Sequence, residues 1–415
     1  MLLQTLPLLI SWVGLVLYTL LAGADFGAGF WQLTAGGGEH GRRLRDHAHH
    51  AMAPVWEANH VWLVLVLTVM WTAYPTVFGS VCSTLAIPIF LAAIGIVLRG
   101  MCYAVQSATE EPAERRFIDT AFALSSILTP FMLGTVIGGI ASGRVPVGNA
   151  KGDMVTSWVN PTSLVSGCLA VAVGAYLAAV FLAADARRHP GSGPLERAFR
   201  TRALIAGTAA GVLALVGLAV LAGDAPRILA GLSSGWGLAA AAVSAVGGVA
   251  SLVLVWLRRF DSARVAVGLA VAALLAGWAA AQRPYLLPGL TLGDAAADNA
   301  TLWAVVISVL LGVVVLAPSL ALLFRLSLAG HLDADPGAPV RHATHGPDAV
   351  RPRWAGRVGI ACFLVGLVLL TLADAAVAHV FGVLALGGAG LAIFTAVGPD
   401  EVAAERSRVF VRRRR

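Results

Sequence analysis

The sequence predicts an all-α polytopic membrane protein: a core of nine transmembrane helices, a polar linker, and two additional C-terminal transmembrane helices. Three observations predict it. Of the 415 residues, 58% are hydrophobic and only 12% are charged, about half the charged fraction of an ordinary soluble domain. The apolar residues gather into runs near the roughly 20 residues that a helix needs to cross a bilayer. The basic residues fall in alternate loops between those runs. A soluble globule and a disordered chain are excluded. The net charge of +7 reads as membrane topology, not as a nucleic-acid footprint.

Eleven runs bounded by charge or by Gly/Pro clusters qualify as spans. Leu6–Leu33 is the first; no basic residue precedes it and the first charge is Asp25, within it. It therefore reads as a true span and not as a cleaved signal. Pro54–Tyr74, Phe78–Leu98, Ile118–Ile140, Pro161–Ala183 and Ala203–Leu221 follow. Ile228–Leu257 is long enough to be tilted or broken, and Val265–Ala280 and Leu302–Phe324 complete the first nine. The stretch from Arg325 to Arg357, rich in His, Pro, Asp and Arg, reads as a cytoplasmic linker. Val358–Leu372 and His379–Val397 are the final pair. The expected organisation is a core over 1–326, a linker over 327–357, the extra pair over 358–397 and a basic tail over 398–415.

Loops after odd-numbered spans, with the C-terminus, hold 25 of the 29 Lys and Arg residues. The other loops hold only Arg144, Lys151, Arg227 and Arg283. By the positive-inside rule this places the N-terminus outside and the C-terminus, ending in Arg412 to Arg415, in the cytoplasm. An error of one span would scramble the alternation. Small-xxx-small spacings at Gly23/Gly27, Gly134/Gly138 and Gly139/Gly143 would let helices approach closely.

Ionisable residues within a span are functional candidates, because each costs about 2.5–3.5 kcal/mol at mid-membrane on insertion scales. Asp25 sits in Gly23-Ala24-Asp25-Phe26-Gly27-Ala28-Gly29 inside the first span. Glu57 opens the second, in Pro54-Val55-Trp56-Glu57-Ala58-Asn59-His60. His60 follows Glu57 by three positions and shares its helix face. Both acids then lie toward the cytoplasmic ends of adjacent antiparallel helices. A proton-entry relay is one reading; interfacial solvation of Glu57, and a structural role for Asp25 among close-packed glycines, is the other.

Other chemistry-bearing residues carry less. Cys82, Cys102, Cys168 and Cys362 are scattered without a CxxC pair, which suggests packing residues and no zinc site or disulfide framework. Eight of the ten histidines fall in expected loops, including His47, His49 and His50, which read as a solvated basic surface. Only His60 and His379 lie at or within spans, too few for haem ligation by paired histidines. Trp31, Trp56, Trp62 and Trp71 read as interfacial anchors.

The sequence resembles subunit II of the cytochrome bd quinol oxidases over about residues 1–330. The resemblance rests on the glycine block around Asp25, on Pro54 to Leu63, and on Leu98-Arg99-Gly100. It continues in Leu128-Thr129-Pro130-Phe131-Met132-Leu133-Gly134 and Asn299-Ala300-Thr301-Leu302-Trp303. It implies a nine-helix subunit paired with a homologously folded subunit I that carries haem b, haem d and the quinol-oxidising loop. The implied complex oxidises quinol at the outer side and reduces dioxygen to water with cytoplasmic protons, without pumping more. Subunit II would support assembly and, through the acid at position 57, proton entry. Expected partners are subunit I, small accessory subunits, quinol, dioxygen and the lipid bilayer, with no nucleic acid; quinone is expected as substrate or structural ligand.

Four departures from the family pattern stand out. Ala22 occupies a position where the family usually has Asp, and Ala104 one where it often has an acid between aromatics. Glu57 replaces a commoner Asp. The final two spans exceed the usual family length. A competing reading, a proton-coupled secondary transporter using Asp25 and Glu57, is opposed by the odd span count and the lack of an inverted repeat.

Overall fold

In a computed structural model the described residues are 2–52, 56–106, 112–189, 191–328, 354–372 and 376–396. They fall into two compact units, Met1–Leu332 and Asp333–Arg415. The helices of the first unit are α1 (Leu2–Leu33), α2 (Gly38–Met52), α3 (Trp56–Ala73), α4 (Pro75–Thr84), α5 (Ala86–Gln106) and α6 (Pro112–Ala141). They continue as α7 (Pro161–Arg188), α8 (Gly193–Asp224), α9 (Pro226–Leu232), α10 (Gly235–Trp256) and α11 (Phe260–Gln282). A small antiparallel hairpin, β1 (Tyr285–Leu287) and β2 (Leu290–Thr291), leads into α12 (Leu292–Ala295) and α13 (Asn299–Leu328).

Among the described residues, seven helices are long and apolar enough to cross a membrane: α1, α5, α6, α7, α8, α10 and α11. The bent pair α3–α4 makes an eighth if it is one span, and α13 contributes a shorter apolar segment, Asn299–Val314. Lipid offers no hydrogen bonds to a backbone, so each apolar run closes its own ladder as a helix. α1 is the axis of the unit, in contact with α3, α6, α7, α11 and α13. Its glycines set the spacing. A Cβ at Gly27 would fall on the carbonyl of Gly174 in α7. Gly134 and Gly138 of α6 likewise approach the α7 backbone at Ser166 and Ser163. The main core cluster lies between α1, α7, α8, α10 and α11.

The third expected span is corrected. Phe78–Leu98 is not continuous: α4 ends at Thr84 and the spanning helix α5 begins at Ala86, while α4 itself departs from α3 at 119°. Tyr74 precedes Pro75, which opposes the helical region at position 74, and its φ/ψ of −138°/60° make the corner. Its hydroxyl donates to the Gln4 carbonyl at 2.6 Å, pinning the corner to the start of α1. The seventh expected span is broken into α9 and α10 at Ser233–Ser234.

Further expectations are corrected as well. Arg99, counted above among loop charges, lies within α5 and is 1% exposed. The expected loop after the first span contains α2, whose Leu44 and Ala48 join the main core. Its His47 packs on Phe199 and lies 3.2 Å from the Leu182 carbonyl, so it is not a solvated side chain. Trp31 is also a core residue, its indole N–H donating to the Ala175 carbonyl at 2.8 Å.

At the opposite end of the bundle, Arg144 holds Asp224 through a bidentate pair, at 2.5 and 3.0 Å. Asp224 also accepts from the Thr162 hydroxyl at 2.5 Å, so the loop after α6, the start of α7 and the end of α8 are tied together. Asp298 caps α13 through the Thr301 hydroxyl at 2.6 Å and the Ala300 and Thr301 N–H groups. Those bonds, the Thr301 hydroxyl first, hold its carboxyl below the usual range.

The second unit contains α14 (Trp354–Leu372) and α15 (Ala376–Ala396), packed on one another. Gly366 allows the approach, because a Cβ there would lie 2.8 Å from Leu386 and 2.9 Å from the Gly382 carbonyl. The linker over 329–353 and the tail over 397–415 lie outside the described residues. The four cysteines are free.

Candidate functional site

Asp25 is fully buried in the small-residue block of α1. A free carboxylate could not remain charged there, and the packing supplies its counter-ion from 74 residues away. Arg99 of α5 donates from Nη2 to Oδ1 at 2.6 Å and from Nε to Oδ2 at 3.1 Å, a fork-on-fork pair. Nη2 also donates to the Asp25 backbone carbonyl at 2.8 Å, and Nη1 to the Ser126 hydroxyl of α6. The site therefore joins α1, α5 and α6 through one guanidinium.

Aromatic rings enclose the remaining faces of that guanidinium. Its carbon lies 4.1 Å from the Phe122 ring centre, 5.1 Å from Phe26 and 5.5 Å from Tyr103. Such a contact stabilises a desolvated cation by about 2 kcal/mol or more. Tyr103, one turn beyond Arg99, donates its hydroxyl to Asp25 Oδ1 at 3.2 Å. His49 of α2 stacks on Tyr103 with ring centres 5.8 Å apart, covering the cluster. Gly29 completes it: a Cβ there would overlap the Ser126 hydroxyl and sit 3.0 Å from Arg99 Nη1.

His60 lies on the other side of Phe26. Its ring is edge-on to Tyr18 at 6.3 Å and to Phe26 at 6.4 Å. One residue earlier, the buried Asn59 donates to the Leu21 carbonyl at 3.3 Å, fixing the start of α3 against α1. Phe26 thus contacts both His60 and Arg99, and the structure brings Asp25 and His60 into one neighbourhood. Glu57 occupies the first turn of α3; its side chain lies outside the described residues, as does that of Ala104. Ala22 is buried beside Tyr18 and Phe26 in an apolar cluster.

Sequence reasoning missed Arg99 as a site residue. The available signal was an arginine inside a long apolar run, with Tyr103 one turn later on the same face. Ser126 and Phe122 gave no signal at all. Among the described residues, no group of three His, Cys, Asp or Glu side chains is positioned to hold a metal ion.

Comparison with known proteins agrees with this architecture. The family described as cytochrome bd terminal oxidase subunit II matches residues 3–327. A Bacillus subtilis (strain 168) protein described as "Putative cytochrome bd menaquinol oxidase subunit II" is 22% identical over 327 residues, 76% of this chain and 93% of the relative. The cytochrome bd-I ubiquinol oxidase subunit 2 of Escherichia coli (strain K12) is 25% identical over 133 residues, 32% of this chain and 34% of that protein. The solved bd oxidase from Geobacillus thermodenitrificans superposes with a TM-score of 0.61 at 25% identity, covering 79% of this chain and 99% of that one. With the family matched across most of its length and its apolar helices in place, the chain belongs to the cytochrome bd terminal oxidase subunit II family, multi-pass components of terminal quinol oxidases in the bacterial cytoplasmic membrane.

Proposed function

We propose that this chain is the subunit II that holds a haem-bearing subunit I in an active oxidase and provides part of its cytoplasmic proton route. The observation that carries this reading is the closed Asp25–Arg99 cluster, which locks α1, α5 and α6 in one register. Both oxygens of the Asp25 carboxylate are engaged by the buried Arg99 guanidinium, so its place is that of a fixed partner in the packing. Asp25 is therefore the counter-ion of Arg99, and the proton-carrying role falls to Glu57 with His60. The same pairing disfavours a transporter that uses Asp25 as a coupling acid.

The proposed route enters at Glu57 and passes His60 on the same face of α3. Tyr18 extends it: its hydroxyl is buried with no acceptor among the described residues and its ring touches that of His60. A buried polar atom of this kind is commonly completed by ordered water, which could relay a proton. We propose the topology read from the arginines, with the N-terminus outside and the C-terminus cytoplasmic. Arg188 pairing with Asp261, Arg200 donating to the Trp256 carbonyl and Arg264 to the Phe181 carbonyl gather at one end of the bundle, which supports it.

The residues described here do not fit a haem. His60 is edge-on between two aromatic rings, and no second histidine shares its span. We propose that haem b and haem d, which the family implies, are carried by subunit I, where quinol and dioxygen react. Small accessory subunits are compatible with this arrangement.

Purification from native membranes tests the proposal. A larger haem-bearing partner, with oxygen consumption driven by quinol, is expected to co-isolate. A colourless chain isolated alone and active in transport would refute it. Within an assembled complex, Glu57→Gln should slow oxygen consumption with haem content unchanged.

A further inference from the structure

The arginine-rich end of the first unit contains a cation that the ion-pair cluster does not use. Most arginines there are committed. Arg188 pairs with Asp261 at 2.9 Å, Arg200 donates to the Val255 and Trp256 carbonyls at 3.2 and 2.7 Å, and Arg264 donates to the Phe181 carbonyl at 2.7 Å. Arg202 differs. It is half-buried, its guanidinium lies 5.7 Å from the ring centres of both Trp31 and Phe199, and no hydrogen bond or ion pair joins it to a described residue.

Two rings stabilise the charge of a guanidinium but satisfy none of its five N–H donors. An anionic acceptor is the missing partner. Arg202 lies one helical turn past Phe199, beside Trp31, and immediately before the apolar run that begins at Ala203; Trp256, whose carbonyl receives Arg200, is 65% exposed at the same end, as an interfacial tryptophan would be. Further along α8 lies a shallow apolar groove of about 640 Å³, open to the surroundings and formed on one face of that helix by Leu204, Ile205, Thr208, Ala209, Val212 and Leu213. Ile205, Ala209 and Val212 follow Arg202 at i+3, i+7 and i+10, so they continue the face on which it stands.

We propose that Arg202, with Trp31 and Phe199, binds the phosphate of an anionic phospholipid whose acyl chain lies along this groove of α8. The rings hold the guanidinium in place, its free N–H groups meet phosphate oxygens, and the apolar face of α8 packs along the chain. No residue of this site belongs to the proposed proton route.

The test uses the purified oxidase complex in detergent, with phosphatidylglycerol, phosphatidylcholine and inorganic phosphate added separately and retained lipid counted by native mass spectrometry. Phosphatidylglycerol is expected to bind the wild-type complex more tightly than phosphatidylcholine. Arg202→Gln should weaken it about fivefold, the factor expected for one basic residue near an anionic surface. Ala209→Phe, which keeps the cation and fills the groove, should weaken it as well and remains informative if Arg202→Gln fails to assemble. Unchanged phosphatidylglycerol binding in either assembled variant overturns the proposal. So does competition by inorganic phosphate at equal concentration, which would make this a simple anion site.

Discussion

Asp25→Asn separates a structural acid from a proton carrier. The substitution keeps the size of the side chain but removes the charge opposite Arg99, which is 1% exposed. Arg99 would retain the Asp25 backbone carbonyl, the Ser126 hydroxyl and three rings, and lose its only neutralising charge among the described residues. Breaking a buried pair from one side costs about 3–5 kcal/mol, because the remaining cation is uncompensated. That is a large share of the roughly 5–15 kcal/mol that keeps a typical domain folded. The assay is thermal stability of the purified complex, with haem content and oxygen consumption measured on the same sample. Asp25→Asn should lower stability sharply and reduce haem content. Adding Arg99→Met removes the orphaned charge, so the double variant should be more stable than Asp25→Asn alone. Wild-type stability in Asp25→Asn, with only turnover slowed, would refute the structural assignment. A double variant no better than the single would refute the stated cause.

Other outcomes follow from individual contacts. Glu57→Asp should retain most of the oxygen consumption that Glu57→Gln loses, because it keeps a titratable proton; equal rates in all three would remove Glu57 from the route. Gly27→Ala should destabilise by about 1–3 kcal/mol or more through overpacking, since its Cβ would meet the Gly174 carbonyl. Gly37→Ala, facing open space without a positive φ, should melt as wild type does, and the pair is read by the yield and melting of the complex. The Asp298 carboxyl, held below its ordinary range by Thr301 and neighbouring N–H groups, should support the start of α13 above the unfolded carboxylate pKa of about 4. That support should fade as pH falls through the lower folded value, seen as faster amide exchange at Ala300 and Thr301, and Asp298→Ala should show fast exchange at neutral pH too. A chain ending at residue 332 contains the whole first unit and the family match, so it should still assemble; loss of haem in that truncation would give the final helix pair a role in assembly.

The candidate site was legible in part. Asp25 stood out because an acid in an apolar run is costly wherever the run folds, and Glu57 and His60 because three residues on a helix share a face. What Asp25 does was not legible. Arg99 reads from sequence as a loop charge at the end of a span, and only the continuation of α5 to Gln106 buries it. His49 belonged to an apparently solvated cluster until α2 placed it on Tyr103. The corner at Tyr74 was half visible: Pro75 signals a break, but the 119° angle and the hydroxyl bond that pins the corner to Gln4 belong to the tertiary structure.

By itself the sequence determined that the chain lives in a membrane, roughly where its helices lie, and which residues are costly there. These are local properties. A backbone in lipid must satisfy its hydrogen bonds within each segment, so hydropathy and a few Gly and Pro positions suffice to read them. Only the tertiary structure decided which charge neutralises Asp25, which glycines carry helix contacts and that, among the described residues, the half-buried Arg202 is left without an acceptor. Each depends on residues distant in the chain meeting at one depth, as Asp25 and Arg99 do across 74 positions, and packing alone sets that meeting.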